Sequence, residues 1–145
     1  MVARSCCNRV LKRHTAPRTV AGMVIDLRQH LGRVGERLAR EHLERLGYGV
    51  VASNYRTRFG ELDLIVCDEH SLVFVEVKAR RAGAMESSLQ AVHPTKQRRV
   101  RAMAAAWLVE ATERPRSREL RFDVVAVTVD RAGRLVRLDH LEGAF

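Results

Sequence analysis

Apolar residues recur along the chain at two spacings, one typical of helices and one typical of strands. Between residues 31 and 46, and again after Pro94, they fall three or four positions apart, which predicts two amphipathic helices. Elsewhere, short runs of β-branched and aromatic residues bounded by polar turns predict strands. The predicted strands cover residues 48–55, 60–67, 72–78, 122–129 and 135–138. The order αβββαββ indicates an α/β sandwich, with helices on both faces of a mixed sheet.

Residues 60–78 form the most informative stretch, because two alternating runs flank a short polar break and predict a β-hairpin. A two-residue loop at 69–70 would place Asp63 opposite Glu76, and Glu61 opposite Lys78. Since side chains alternate between faces, all four charges would share one face at one end of the hairpin. That face continues with Ile65, Cys67, Leu72 and Phe74, and the other face carries Leu62, Leu64, Val66, Val73, Val75 and Val77. A hairpin apolar on both faces is covered on both sides, so these charges are expected to be partly buried, where unpaired charges are costly.

Composition adds a basic character that is unevenly distributed. The net charge is +9, and residues 1–22 supply five basic residues and no acid. A second basic run lies between residues 78 and 101, with Glu86 as its only acid. The basic residues of that run are Lys78, Arg80, Arg81, Lys96, Arg98, Arg99 and Arg101. The run is either a solvated face or a set of phosphate contacts, and its start at the acidic end of the hairpin favours phosphate contacts.

The cysteines and the length of the apolar runs indicate the cellular compartment in which we expect the protein. Cys6 and Cys7 are adjacent in the basic N-terminal segment, which suits neither a disulfide framework nor a zinc site. Cys67 and Trp107 fall on apolar faces and are expected to be core residues. No apolar run is long enough for a membrane span, so we expect no membrane partner and a cytoplasmic protein.

The N-terminal segment, residues 1–29, has no sustained period and no secretory signal pattern. We interpret it as a basic, disordered extension, with an organelle transit peptide and a nucleic-acid-binding arm as alternatives. Residues 30–141 would form the folded domain and residues 142–145 a short tail. The weakly patterned residues 82–92 are expected to form a loop or short helix beside the charged site.

Glu36 lies at the margin of the apolar stripe on the first predicted helix. As a surface residue it would pair with Arg40 one turn later. Its marginal position also lets it reach the edge of the sheet that the helix covers. The residues alone do not favour either interpretation.

The charged end of the hairpin has the composition of a magnesium site. Asp63 and Glu76 can hold a hard divalent cation such as Mg²⁺ or Mn²⁺, with the backbone carbonyl of Val77 as a further ligand. Lys78 could orient or deprotonate an attacking water, or offset charge in a transition state. The alternative is a structural ladder in which Lys78 pairs with Asp63 and Glu61.

Several motifs in order resemble a known family. They are Gly32-x-x-Gly35-Glu36, Asn54-Tyr55-Arg56, Gly60-Glu61-Leu62-Asp63-Leu64-Ile65, Phe74-Val75-Glu76-Val77-Lys78-x-Arg80, Lys96 and Arg121-Phe122-Asp123-Val124-Val125. Over residues 31–138 the chain resembles the YraN-type bacterial family. That largely uncharacterised family is placed in the PD-(D/E)XK nuclease superfamily, near archaeal Holliday junction resolvases. Leu62 stands at the superfamily's nominal proline, and Ala79 where the family more often has threonine.

The resemblance implies a restriction-endonuclease-like sandwich and a set of roles. Asp63 and Glu76 would be metal ligands, Lys78 the catalytic lysine and Glu36 an additional helix-borne acid. The expected cofactor is Mg²⁺ or Mn²⁺. The expected nucleic-acid contacts are Arg56, Arg58, Arg80, Arg81, Lys96, Arg98 and Arg99.

Three functions are compatible with these features. The first is a magnesium-dependent endonuclease acting on DNA, including branched recombination or repair intermediates. Because symmetric cutting of a four-way junction benefits from two-fold symmetry, this function also predicts a homodimer. The second is a non-catalytic nucleic-acid-binding accessory protein with a nuclease-like fold, which would have no need to retain the Asp63, Glu76 and Lys78 set. The third is hydrolysis of RNA, which the residues do not distinguish from the first.

Overall fold

Two helices and five strands follow one another in the predicted order. The computed structural model describes residues 26–84 and 93–145. Helix α1 spans Leu27–Arg45 and helix α2 spans Pro94–Glu110. The strands are β1 (Gly49–Thr57), β2 (Gly60–Cys67), β3 (Ser71–Arg81), β4 (Glu119–Val129) and β5 (Leu135–Leu141). The order αβββαββ is therefore confirmed.

The strands form one mixed sheet in the spatial order β1-β2-β3-β4-β5. Neighbouring strands are antiparallel except for β3 and β4, which run parallel. A parallel pair needs a crossover connection, and α2 lies in the chain between these two strands. The result is the nuclease-like α/β sandwich that the sequence predicts.

Helix α1 begins earlier than its apolar stripe. The Asp26 carboxylate accepts a hydrogen bond from the Arg28 backbone N–H at 3.0 Å, which caps the helix at its N-terminus. Residues 27–29, which the sequence analysis assigns to the extension, therefore belong to α1. The rest of that extension, residues 1–25, and most of the predicted loop, residues 85–92, lie outside the described residues.

Each face of the sheet carries a core cluster. The cluster under α2 includes Ile65, Cys67, Leu72, Phe74 and Trp107, and the cluster under α1 includes Leu64, Val66, Val73, Val75 and Val127. Trp107 packs edge-on against Phe74, with ring centroids 5.7 Å apart. The predicted faces of the hairpin are confirmed with one exception. Leu62 packs in the α2 cluster, not with Leu64 as strict alternation predicts.

A glycine brings α1 close to the end of β3. A Cβ atom added at Gly35 would lie only 2.4 Å from the Ala79 Cβ, so a larger residue there would push the helix away. Since Glu36 is the next residue, this close contact fixes the distance of its backbone from the sheet. Ala79 faces the helix and points away from the charged side of β3.

The register of the β2–β3 hairpin is the predicted one. Leu64 pairs with Val75 and Cys67 pairs with Leu72, as a two-residue loop requires. The ladder ends at the Leu64–Val75 pair, however. The prediction that Glu61 faces Lys78 is wrong, because Glu61 lies on the β1–β2 hairpin.

The C-terminal residues, predicted to be a short tail, contact the folded domain. Phe145 stacks on Phe122 with ring centroids 5.3 Å apart, and so packs against the domain. Within residues 26–84 and 93–145, neither helix is long and apolar enough to cross a membrane.

Candidate functional site

Asp63 lies where β2 and β3 cease to pair. Its Oδ2 accepts a hydrogen bond from the Val77 backbone N–H at 2.8 Å, so a side chain replaces the next bond of the ladder. Burial, followed by the negative charges of Glu76 and Glu36, raises the pKa of Asp63 to about 7. The Val77 N–H and the charge of Lys96 oppose this rise in the pKa. Three acids from three different elements therefore influence one another at this point.

Glu76 is the most buried acid of this group, with 8% of the residue exposed. It points to the α2 side of the sheet, where Lys96 from the first turn of α2 forms an ion pair with Glu76 Oε1. From the sequence, Lys96 is expected to contact nucleic acid. The structure instead places its ammonium against a site carboxylate.

Glu36 turns toward the sheet and not along its own helix. Its Oε2 accepts a hydrogen bond from Asn54 Nδ2 at 2.9 Å. Asn54 has a φ of 50°, a left-handed conformation that asparagine tolerates better than most residues. The alternative partner, Arg40, pairs with Glu44 at 2.9 Å. The alternative pairing of Glu36 with Arg40 is therefore wrong, and the charge of Glu36 contributes to the raised pKa of Asp63.

Lys78 is half-buried and lies two residues after Glu76 on β3. Strand alternation puts both side chains on the α2 side of the sheet. The structural alternative was that Lys78 forms ion pairs with both Asp63 and Glu61. The Glu61 half of this alternative is not observed, because Glu61 forms its ion pair with Arg56 at 3.0 Å.

The donor set of this site suits a hard cation. Asp63 and Glu76 supply carboxylate oxygens, and the carbonyl of Val77 lies between Glu76 and Lys78 in the chain. Magnesium keeps several waters and needs only one or two protein carboxylates. In the described part of the chain, no three His, Cys, Asp or Glu side chains form a ready-made metal cage. The oxygen donors of Asp63, Glu76 and Val77 suit magnesium or manganese better than zinc, which prefers nitrogen and sulfur ligands.

Two of the predicted basic contacts meet at the tip of the β1–β2 hairpin. The Arg58 guanidinium lies over the Phe59 ring, 4.6 Å from its centroid. Arg99 of α2 donates from Nε to the Phe59 carbonyl at 2.7 Å. Arg56 is adjacent in the chain, and its side chain is 79% exposed. The hairpin tip and the start of α2 thus form one basic surface, with Arg98 exposed beside Arg99.

The remaining predicted contacts lie at the end of β3. Arg80 donates from Nε to Thr128 Oγ1 at 2.9 Å, which holds it against β4. Arg81 borders a small cavity between α1 and the β4–β5 turn, together with His30 and Asp130. Arg81 is therefore separated from the hairpin tip.

A second polar cluster was not anticipated from the sequence. Asp123 is fully buried in β4 and accepts hydrogen bonds from Arg121 Nε at 2.8 Å and from the Gly143 N–H at 3.0 Å. His140 Nε2 lies 2.8 Å from Asp123 Oδ2, and its Nδ1 lies 3.4 Å from a ring nitrogen of His42. Burial of His42 lowers its pKa, as do the charges of His140 and Arg45. Arg121 and Asp123 belong to a motif that carries the family resemblance, but nothing in the sequence connects them with His42 or His140.

The fold and the acidic cluster define a nuclease-like α/β sandwich whose site lies at the open end of its hairpin. Comparison with known proteins gives the family. The model of the uncharacterised protein family UPF0102 matches residues 35–127, and the chain belongs to that family. The YraN-type resemblance seen in the sequence is thereby confirmed.

Relatives match over most of their length. A UPF0102 protein of Mycolicibacterium gilvum is 43% identical over 120 residues, which cover 81% of this chain and 95% of that protein. A UPF0102 protein of Pelotomaculum thermopropionicum is 42% identical over 120 residues, which cover 83% of this chain and 98% of that protein. A UPF0102 protein of Frankia alni is 43% identical over 123 residues, which cover 85% of this chain and 100% of that protein. These names state a family and no activity.

Proposed function

We propose that the protein is a magnesium- or manganese-dependent endonuclease that hydrolyses phosphodiester bonds of DNA, including branched recombination or repair intermediates. The observation that carries this proposal is the convergence of Glu36, Asp63 and Glu76 from α1, β2 and β3. Their mutual repulsion costs stability. A cost of this kind is typical of sites where function requires an unfavourable arrangement.

Asp63, Glu76 and the Val77 carbonyl would hold the metal ion, with Glu36 as an additional acidic group. When bound, the ion would polarise a phosphate oxygen as a Lewis acid and would lower the pKa of water. The raised pKa of Asp63 supports this assignment, because a cation between the acids would relieve their repulsion.

Lys78 would act on the reacting phosphate or on the attacking water. It follows Glu76 by two residues and shares its face of β3, so its ammonium is directed to the same side of the sheet. There it can orient a water by hydrogen bonding and offset negative charge that develops on the phosphate.

The nucleic acid would lie across the surface formed by the β1–β2 hairpin tip and the start of α2. Arg56, Arg58, Arg98 and Arg99 supply its positive charge, and the Arg99 bond to the Phe59 carbonyl holds the two elements together. Such phosphate contacts carry no sequence information. We therefore propose binding that depends on salt and on nucleic-acid shape more than on base sequence.

A non-catalytic nucleic-acid-binding protein is the second candidate. The observation that favours it is the ion pair between Lys96 and Glu76, which satisfies a site carboxylate without any metal. A binding module would retain the basic surface and leave this ion pair in place. The two candidates differ in whether substrates are cut.

The test is a cleavage assay with linear, flapped and four-way DNA and single-stranded RNA, in magnesium and in manganese. Lys78→Ala should reduce cleavage by a factor on the order of 10² or more, because it removes a group acting in the transition state. Its affinity for DNA should change little. The matched control, Arg98→Ala with Arg99→Ala, should weaken binding and leave single-turnover cleavage at saturating protein near normal.

The outcome separates the candidates. If the wild-type protein binds these substrates and cuts none with either metal, the binding-module function replaces the proposed one. If RNA alone is cut, the chemistry stands and the substrate class changes. A homodimer remains part of the proposal, since two-fold symmetry would suit a four-way junction.

A further inference from the structure

Lys96 lies at the junction between the acidic cluster and the basic surface. It belongs to the first turn of α2 (Pro94–Glu110), and its ammonium contacts Glu76 Oε1. The preceding residues cap that helix through the His93 side chain, which accepts from the Thr95 N–H at 3.3 Å. The position of Lys96 is therefore fixed by the start of a helix and not by a free loop.

We propose that Lys96 is a tethered cation that occupies the carboxylate site when no metal ion is bound, and that a divalent ion displaces it from Glu76. This inference deepens the proposed function and rests on it. It assigns Lys96 to competition with the metal ion, whereas the sequence assigns it only to nucleic acid. Nothing in the family description gives Lys96 this role.

The burial of the two partners indicates which side chain moves. The Glu76 side chain is 10% exposed, whereas that of Lys96 is 50% exposed. Glu76 cannot reach solvent without leaving its place in β3, and an unpaired carboxylate there is costly. A lysine has a flexible four-carbon stem and a strongly hydrated ammonium. Lys96 can therefore leave the carboxylate while Glu76 stays in position for the ion.

The displaced ammonium would not leave the site entirely. It remains attached to the first turn of α2, where the helix dipole is positive and attracts phosphate. Arg98 and Arg99 lie two and three residues further along the same helix. Displacement would therefore transfer one positive charge from the acids to the basic surface, so that metal binding favours phosphate binding.

Metal binding to the nucleic-acid-free protein tests the proposal directly. Calorimetric titration with manganese and with magnesium at pH 8 should show Lys96→Met binding about ten-fold more tightly than wild type. This value lies between the small effect of an exposed ion pair and the larger one of a buried pair. Lys96→Arg, which keeps a cation beside Glu76, should bind no more tightly than wild type.

Arg98→Met is the matched control, because it removes the same charge from an exposed position on the same helix. Its metal affinity should stay within about two-fold of wild type, since the charge of an exposed side chain acts only weakly on its neighbours. Melting temperatures give an independent readout. In EDTA, Lys96→Met should melt below wild type because Glu76 loses its partner, and added manganese should raise its melting temperature by more.

Three results would overturn the inference. Equal or weaker metal binding by Lys96→Met would show that Lys96 does not compete with the ion. An equal gain in Arg98→Met would show a general effect of net charge. Absence of divalent-ion binding in wild type and in every variant would overturn the metal-dependent function together with this inference, whereas the first two results leave that function intact.

Discussion

Replacing Asp63 with asparagine should stabilise the metal-free protein and abolish its response to metal. Asparagine keeps an oxygen that can accept the Val77 N–H bond, now 2.8 Å from the Asp63 carboxylate. It removes the charge that burial, Glu76 and Glu36 all disfavour. The same change deletes a proposed metal ligand, so stability and metal binding should move in opposite directions.

The size of the effect follows from the raised pKa. The pKa of Asp63 rises from 3.8 to about 7, and each unit corresponds to about 1.4 kcal/mol between the protonation states. The whole rise would cost the ionised form about 4 kcal/mol, and partial solvent exposure reduces this to about 2 kcal/mol. For a domain of this size the melting temperature should increase by about 6–8 °C at pH 8.

The sign depends on pH. Because the folded state binds the Asp63 proton more tightly than the unfolded chain, wild-type stability falls as the pH rises from about 4 to about 7. Asparagine does not titrate. Its advantage should therefore be near zero at pH 4 and complete above pH 7.

Thermal melts in EDTA at pH 4, 6 and 8, repeated with manganese, would measure both effects. Glu69→Gln is the control, since it removes one negative charge from the exposed β2–β3 turn and should change little. The reasoning fails if Asp63→Asn is no more stable at pH 8 than wild type, or if its advantage is the same at pH 4. Retained stabilisation by manganese would show that Asp63 is not a ligand.

Two further predictions concern the same site. Metal affinity of the wild-type protein should rise about ten-fold per pH unit below pH 7 and level off above it, because the ion competes with the Asp63 proton; calorimetry in a pH series would show this, and a flat profile would contradict it. Gly35→Val should destabilise the fold by about 2–3 kcal/mol, because its Cβ would overlap that of Ala79; Gly32→Val, where a Cβ meets nothing within 4 Å, is the control for helix propensity. Equal losses in urea unfolding would remove the close-contact argument.

The sequence predicts the parts of this fold that depend on local periodicity. The hairpin register follows from strand alternation and the two-residue loop at 69–70, and Leu64 does pair with Val75. Helix α1 starts four residues before the predicted stripe. Leu27 continues the helical spacing from Leu31, but it is exposed, and the Asp26 cap sets the start of the helix. Alternation also fails at Leu62, beyond the point where the β2–β3 ladder ends.

The sequence predicts which residues make up the candidate site, but it does not predict which of them contact one another. Asp63 and Glu76 are on adjacent strands, so their proximity follows from the hairpin. The sequence predicts that Glu61 lies opposite Lys78 in the β2–β3 hairpin. Glu61 instead forms an ion pair with Arg56, its partner in the β1–β2 hairpin. The contact between Lys96 and Glu76 depends on where α2 packs, which no local pattern determines.

Two aspartates in this sheet show how a structural acid differs from a functional one. Burial alone would raise the pKa of Asp123, yet hydrogen bonds from His140, Arg121 and the Gly143 N–H outweigh it and hold that pKa low. Asp123 is thus a satisfied anion that joins β4 to β5 and to the C-terminal residues. At Asp63 the hydrogen bond from the Val77 N–H does not outweigh burial, which together with the charges of Glu76 and Glu36 raises the pKa. The uncompensated burial of Asp63 and its repulsion by two acids therefore support the proposal that a cation binds at this position.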